Sequence, residues 1–152
     1  MTELIATEIA IWAYPDAWSV YNLTTENALF SSAAGYFAVV GSNGTLVGFA
    51  CSGLEARVPG LAEKSDTLDI GFGMNPVFVG QGHGMEFASV IMDYFQKSTS
   101  RNFFRCVVQR WNERSLRTLK SLKFDENGIH AVARNGKTVD YTILSRTVEP
   151  NL

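Results

Sequence analysis

Three glycines spaced two apart, Gly80, Gly82 and Gly84, stand between a short apolar strand and an amphipathic helix in the run DIGFGMNPVFVGQGHGMEFASVIMDYF, residues 69–95. Glycines let a backbone take up positive φ and come close to a ligand. The helix that follows aims its free N–H groups and the positive end of its dipole at the same point. The chemistry of such a turn is anion binding, and its natural occupant is a phosphate. A nucleoside-triphosphate loop needs Gly-Lys-Ser/Thr after its second glycine, but His83-Gly84-Met85 follows Gly82. A dinucleotide fingerprint needs glycine or alanine three residues past its second glycine. Met85 and Phe87 stand at those places, and the acidic residue expected about 20 positions on is missing.

Other residues with chemistry to offer lie on either side. Asn112 can cap a helix, and Arg110, Arg114, Arg117, Lys120 and Lys123 crowd that helix and its lead-in, where they meet either solvent or a ligand's phosphates. Asp69, with Asp66 and Glu55 behind it, is the candidate general base or else a structural carboxylate; side chains alternate along a strand, so Asp69 and Asp66 face opposite sides. Tyr14, Trp18, Tyr21 and Asn22, in AYPDAWSVYN, form an aromatic cluster with polar ends. It suits a pocket for a small amine, or the packing of two short helices on a sheet. Cys51 and Cys106 sit in apolar, strand-like stretches and read as buried free thiols. No metal is expected.

Periodicity supplies the elements that must hold these residues. Leu4 to Tyr14 reads as a strand, and Pro15-Asp16 starts a helical turn to about Asn22, with another short helix over Thr25 to Ser31. Tyr36 to Val40 and Thr45 to Cys51 flank Ser42-Asn43-Gly44 and should pair as a hairpin. A loop over Gly53 to Ser65 leads to a central strand, Thr67 to Met74, closed by Pro76. Gly82 to Lys97 repeats apolar residues at helical spacing (Met85, Ala88, Ile91, Met92, Phe95), Asn102 to Gln109 is a strand, and Asn112 to Leu122 a helix with Leu116, Leu119 and Leu122 on one stripe. Phe124 to Gly128 turns the chain into a closing hairpin, Ile129 to Arg134 and Thr138 to Arg146, through Asn135-Gly136.

With 152 residues, 46% of them hydrophobic, the chain suits one domain over 1–152 with a core that needs no staples. A net charge of -2 argues against a dedicated nucleic-acid binder. The first 30 residues lack a secretory pattern and no apolar run nears the ~20 residues of a membrane span, so a reducing, cytoplasmic location is expected, with no membrane partner.

Two segments together resemble the GNAT superfamily of acetyl-CoA-dependent N-acetyltransferases. In its signature a strand ends in a proline-containing turn, here Met74-Asn75-Pro76. Arg/Gln-x-x-Gly-x-Gly/Ala then opens a helix, the place held here by Val79-Gly80-Gln81-Gly82-His83-Gly84. Downstream, VVQRWNERSLRTLKSLKF is similar to the second acetyl-CoA segment, with Asn112 and Phe124 matching; the two cover about Leu68 to Phe124. The resemblance implies an α/β fold with a mixed, mostly antiparallel central sheet of about seven strands flanked by helices, its central strands splayed to form the cofactor cleft. It implies acetyl transfer from acetyl-CoA to a primary amine of a small molecule or peptide by direct attack. It places Phe72, Gly73 and Met74 along the pantetheine arm, the backbone of Val79, Gly80, Gln81, Gly82, His83 and Gly84 around the pyrophosphate, and Asn112 beside the arm, with Arg114 and Arg117 the better phosphate partners. Dimers are frequent in the superfamily, so a homodimer is one expected state. Two departures matter. Val79 replaces the motif's Arg or Gln, and Leu119 stands where the superfamily often has a tyrosine acid, which leaves Tyr141 or Ser115 as candidates. The rival reading is an acyl-CoA-binding sensor or regulatory module with little or no turnover.

Overall fold

The structure, a computed structural model, describes residues 1–22 and 35–149. The helix expected over Thr25 to Ser31 lies outside the described residues. In chain order the elements are α1 (Glu3–Ala10), a 3-10 turn (Asp16–Tyr21), β1 (Tyr36–Val40), β2 (Leu46–Ser52), β3 (Thr67–Met74), α2 (Gly84–Ser98), β4 (Phe103–Gln109), α3 (Glu113–Ser121), β5 (Asp125–Arg134) and β6 (Lys137–Thr147). Short 3-10 helices also occupy Gly53–Ala56 and Pro76–Phe78. The six strands form one mixed sheet in the order β1-β2-β3-β4-β6-β5, and every neighbouring pair is antiparallel except β3 with β4. This is the mixed α/β architecture expected, with six strands among the described residues where about seven are anticipated.

The missing strand is the opening segment, which is helical. Thr2 accepts a hydrogen bond from the Ile5 N–H at 3.2 Å and caps α1, and Glu3 complements the helix dipole. Its apolar residues then work at helical spacing: Ala6 and Ile9 are buried against Leu46, with Ile5, Trp12, Tyr36 and Phe49 around them. The mix of apolar and polar positions reads as extended, but packing on the β1–β2 face overrides so weak a cue.

The opposite face of the sheet carries α2 and α3. Phe87, Ile91, Met92 and Phe95 of α2 and Leu116 and Leu119 of α3 join Ile70, Phe104, Cys106, Phe124 and Leu144 in the main core. Helix α2 begins at Gly84, and its inward stripe runs through Phe87 rather than Met85, which is 44% exposed in the first turn. Phe87 lies flush on β2, where a Cβ on Gly48 would come within 2.5 Å of its ring. The segment from Phe124 to Gly128 is not a free turn. Strand β5 starts at Asp125 and pairs with β6 through a register shift between Glu126 and Gly128, so the closing hairpin is longer than expected.

The central strands splay. β3 has eight residues, but its parallel pairing with β4 covers only Thr67–Phe103, Leu68–Phe104 and Asp69–Arg105. Beyond Asp69 the two strands part, and a cleft opens between the ends of β3 and β4.

Candidate functional site

The cleft's β3 wall is set by strand alternation. The Asn75 N–H donates to the Val47 carbonyl at 2.7 Å, so the backbone groups of Gly73 point toward β2 and those of Phe72 and Met74 point into the cleft. Phe72 and Met74 thus present peptide edges suited to a pantetheine-like chain, and Gly73 does not. The Gly73 position is needed for packing instead, because a Cβ there would meet the Phe49 ring at 2.5 Å. The Met74 carbonyl is already engaged, accepting from the Tyr14 hydroxyl at 2.7 Å.

The floor of the cleft is the glycine turn. Asn75 ties it down: its Nδ2 donates to the Leu46 carbonyl at 3.0 Å and its Oδ1 accepts from the Val77 N–H at 3.2 Å. Gly80 and Gly82 adopt φ of +79° and +82°, a conformation that side chains disfavour, and a Cβ on Gly82 would meet nothing within 4 Å. Val79 is extended, and the Gln81 side chain turns back to donate to the Val77 carbonyl at 2.8 Å, away from any ligand. His83 occupies the N-cap of α2 without a capping hydrogen bond; its ring meets Phe78 edge-on at 6.4 Å. Gly84 opens the helix, close to Thr118 of α3. Left-handed glycines over open space, at the start of a 15-residue helix, fit a phosphate-bearing ligand.

Arg114 reaches this turn. Its Nη2 lies 3.9 Å from the Cβ position of Gly80. Arg117 instead lines a groove between α3 and β5 with Arg110, Lys120 and Ile129. Both are candidates from sequence, and although they are neighbours three residues apart on α3, their side chains reach different places.

Asn112 is 5% exposed, and its side chain is committed to protein partners. Its Oδ1 accepts from the Ser115 N–H at 3.2 Å, capping α3, and its Nδ2 donates to the Tyr21 hydroxyl at 3.0 Å. Asn112 therefore orders the mouth of the cleft rather than offering a free amide to a ligand. The Tyr21 oxygen accepts that bond, which leaves its own proton without an acceptor among the described residues. Burial raises the Tyr21 pKa from its usual value, the Asn112 hydrogen bond opposes the rise, and the neighbouring Tyr141 phenol adds to it.

Residues 14–22 form a strap across the cleft. Tyr14 bonds to β3 at one end and Tyr21 to Asn112 at the other, and the Asn22 Oδ1 accepts from the Tyr14 N–H at 2.6 Å to close the loop. Burial pushes the Tyr14 hydroxyl up to about 12. Between the ends, Trp18 meets Trp111 edge-on at 5.7 Å, and Trp111 packs on Tyr21 at 6.0 Å. Trp111 has no place in the residue patterns read from sequence; its signal was its position just before the capping Asn112. Of the four expected pocket residues, Tyr14, Trp18 and Tyr21 face this cleft region and Asn22 is a backbone staple.

Asp69 is structural in its contacts. It is 3% exposed, accepts from Arg105 Nε at 2.6 Å and Nη2 at 3.1 Å, and pairs with Arg57 Nη1 at 3.0 Å. Both oxygens accept from guanidinium donors, and two paired arginines favour the ionised carboxylate, which weakens it as a base. Tyr141 is buried on β6 opposite Gln109, at the splayed end of β4. Leu119 is 0% exposed inside the core. Both thiols are buried and free; burial pushes Cys51 up to about 12 and raises Cys106 as well, so neither is a nucleophile. No described helix is long and apolar enough to cross a membrane.

Comparison with known proteins agrees with this geometry. The family described as acetyltransferase (GNAT) domain matches residues 12–125. No curated protein sequence matches significantly. Among solved structures, an acetyltransferase of the GNAT family from Bacillus anthracis superposes with a TM-score of 0.68 at 18% identity, covering 85% of this chain and 78% of that one. A candidate phosphinothricin N-acetyltransferase gives a TM-score of 0.73 at 15% identity over 99% and 96% of the two chains. A spermidine N-acetyltransferase that is a chimera from Vibrio cholerae and hSSAT gives 0.61 at 16% identity, over 74% of this chain and 65% of that one.

Proposed function

Because the chain belongs to the acetyltransferase (GNAT) domain family, we propose that it transfers an acetyl group from acetyl-CoA to a primary amine of a small molecule or peptide by direct attack. The observation that carries this reading is the splay of β3 from β4 after Asp69, with the Phe72 and Met74 peptides facing the gap and the Gly80–Gly82 turn at its end. Acetyl-CoA supplies an activated thioester. The protein's task is to hold it, orient the amine and manage two protons.

In this reading the Phe72 carbonyl and N–H and the Met74 N–H bind the pantetheine arm as an added strand would, and the N–H groups around Gly80, Gly82 and Gly84 take the pyrophosphate with Arg114. The strap from Tyr14 to Asn22 crosses the cleft and shields part of it from water. Leu119 supplies no acid, so the proton for the departing thiolate comes from the phenol pair Tyr21 and Tyr141. Of the two, Tyr21 is better placed, because Asn112 fixes its oxygen as an acceptor and frees its proton. The amine's own proton leaves to solvent, Asp69 being sealed by two arginines. We place the enzyme in the cytoplasm, in keeping with two reduced, buried thiols.

A specific observation also favours the rival reading, an acyl-CoA sensor with little turnover: Leu119 carries no acidic proton, and Asp69 is buried and paired with two arginines. One assay separates them. Thiol release from acetyl-CoA across a panel of primary amines should exceed background hydrolysis with at least one acceptor. Binding of acetyl-CoA by calorimetry with no turnover on any amine supports the sensor, and no binding at millimolar cofactor removes both. Gly82→Val should abolish binding in either case, since it strains a φ of +82° and blocks close approach.

A further inference from the structure

From Pro76 to Gly84 the phosphate turn contains no lysine or arginine. A cation reaches it from a separate element. Arg114 reaches in from the first turn of α3, with Nη2 3.9 Å from the Cβ position of Gly80. A long, exposed side chain on a helix surface samples several rotamers, and fixing it against a ligand costs that freedom. Here something already holds it: the Arg114 guanidinium carbon lies 4.6 Å from the centroid of the Trp18 ring. Trp18 is itself braced by Trp111, which meets it edge-on at 5.7 Å and 69° and is fixed by donation from its Nε1 to Gln109 Oε1 at 2.6 Å. The contacts run unbroken from the strap to the turn.

We propose that Trp18 is a positioning residue for pyrophosphate recognition: its ring holds the Arg114 guanidinium beside the Gly80 turn, so the aromatic strap sets affinity for the phosphate-bearing half of acetyl-CoA. A cation on an aromatic face keeps its N–H edge free, and that edge is what a diphosphate needs. The alternative is that Trp18 only lines an amine pocket, in which case its loss changes the acceptor's KM and leaves cofactor affinity alone. The inference rests on the reading that this chain binds acetyl-CoA.

The test is calorimetry of CoA, 3′-dephospho-CoA and pantetheine with the wild-type chain and with Trp18→Ala, Trp18→Phe, Arg114→Met and the Trp18→Ala/Arg114→Met double variant. Far- and near-ultraviolet circular dichroism shows which variants keep the native fold. Arg114→Met should weaken CoA about ten- to hundredfold, as loss of a charged hydrogen-bonding partner does. Trp18→Ala should weaken it about two- to fivefold, the range of an exposed cation–π contact, and Trp18→Phe should restore most of that. The double variant should bind no more weakly than Arg114→Met alone, because Trp18 acts through Arg114. The same ratios should hold for 3′-dephospho-CoA and vanish for pantetheine. Unchanged CoA affinity in Trp18→Ala, full additivity in the double variant, or an equal loss for pantetheine overturns the proposal. Ratios that vanish with 3′-dephospho-CoA overturn the assignment to the pyrophosphate. A wild-type chain that binds no CoA refutes the cofactor reading itself, a distinct result.

Discussion

Replacing Asp69 by asparagine is the perturbation that best separates structure from chemistry in this fold. The carboxylate sits at the last paired position of β3 and β4, where the splay begins. It holds three elements together: Arg105 on β4 through two hydrogen bonds at 2.6 and 3.1 Å, and Arg57 in the loop before β3 through one at 3.0 Å. Arg105 also donates to the Ala62 carbonyl at 2.8 Å, so the same cluster pins the loop. Asparagine keeps the shape but removes the charge, and its amide turns two donors toward a guanidinium. Two buried cations then face each other without compensation. Breaking one side of a buried ion pair costs about 3–5 kcal/mol. In a chain of this size each kcal/mol moves Tm by about 2–4 °C, so Asp69→Asn should lower Tm by roughly 6–20 °C. Thermal unfolding by circular dichroism reads that directly. Thiol release per folded molecule, measured well below the new midpoint, should keep its pH profile and lose far less than the 10²–10⁴ that a general base is worth. A variant whose Tm stays within about 2 °C, under 1 kcal/mol, while its turnover collapses would refute the reasoning and make Asp69 the base.

Four further outcomes follow from particular residues. Lys123 ends α3 with φ +68°, where glycine is the usual occupant, so Lys123→Gly should relieve about 1 kcal/mol of left-handed strain and raise Tm by about 2–4 °C in a scanning calorimeter. Leu119→Tyr restores the superfamily's residue at a position with no exposure, so it should cost about 1–3 kcal/mol by overpacking, visible in urea unfolding, with no gain in thiol release. Tyr21→Phe should lower kcat by about 10²–10⁴ with little change in acetyl-CoA affinity, and more than Tyr141→Phe does, as steady-state kinetics will read. Finally, Cys51 and Tyr14 both titrate higher folded than their ordinary 9.0 and 10.0, each near 12. Both are neutral in the native state, so their contribution to stability is whole below pH 9 and is lost as pH rises toward 12. Urea midpoints should be level up to about pH 9 and fall above it, and Cys51→Ala should flatten the lower part of that fall.

Much of this molecule was legible from local pattern. Strand β3 and the hairpin of β1 and β2 follow from alternation and Asn43-Gly44; α2 and α3 follow from helical spacing and from the Asn112 cap. The glycine turn is legible as a candidate anion site because positive φ and a helix start are local properties of a few consecutive residues. These are short-range effects, and a linear pattern carries them in full. The misreadings share a cause as well. Leu4 to Tyr14 reads as strand from its mix of apolar and polar positions, a weak cue, and burial of Ala6 and Ile9 on β1 and β2 makes Glu3–Ala10 a helix.

The site's pairings were decided only by the fold. Nothing in the spacing of Asp69, Arg57 and Arg105 announces a sealed ion cluster, since the three meet only when β4 lies beside β3 and the loop folds back. The choice of Arg114 over Arg117 for the glycine turn depends on which way α3 is rolled by burying Leu116 and Leu119. Trp18, Trp111 and Arg114 likewise come together across more than 90 residues of chain. Sequence by itself determined most of the described elements and the family resemblance, because propensity, capping and glycine φ act between near neighbours. Tertiary structure alone decided which charges meet and which protons are free, because electrostatics and hydrogen bonding depend on distance in space.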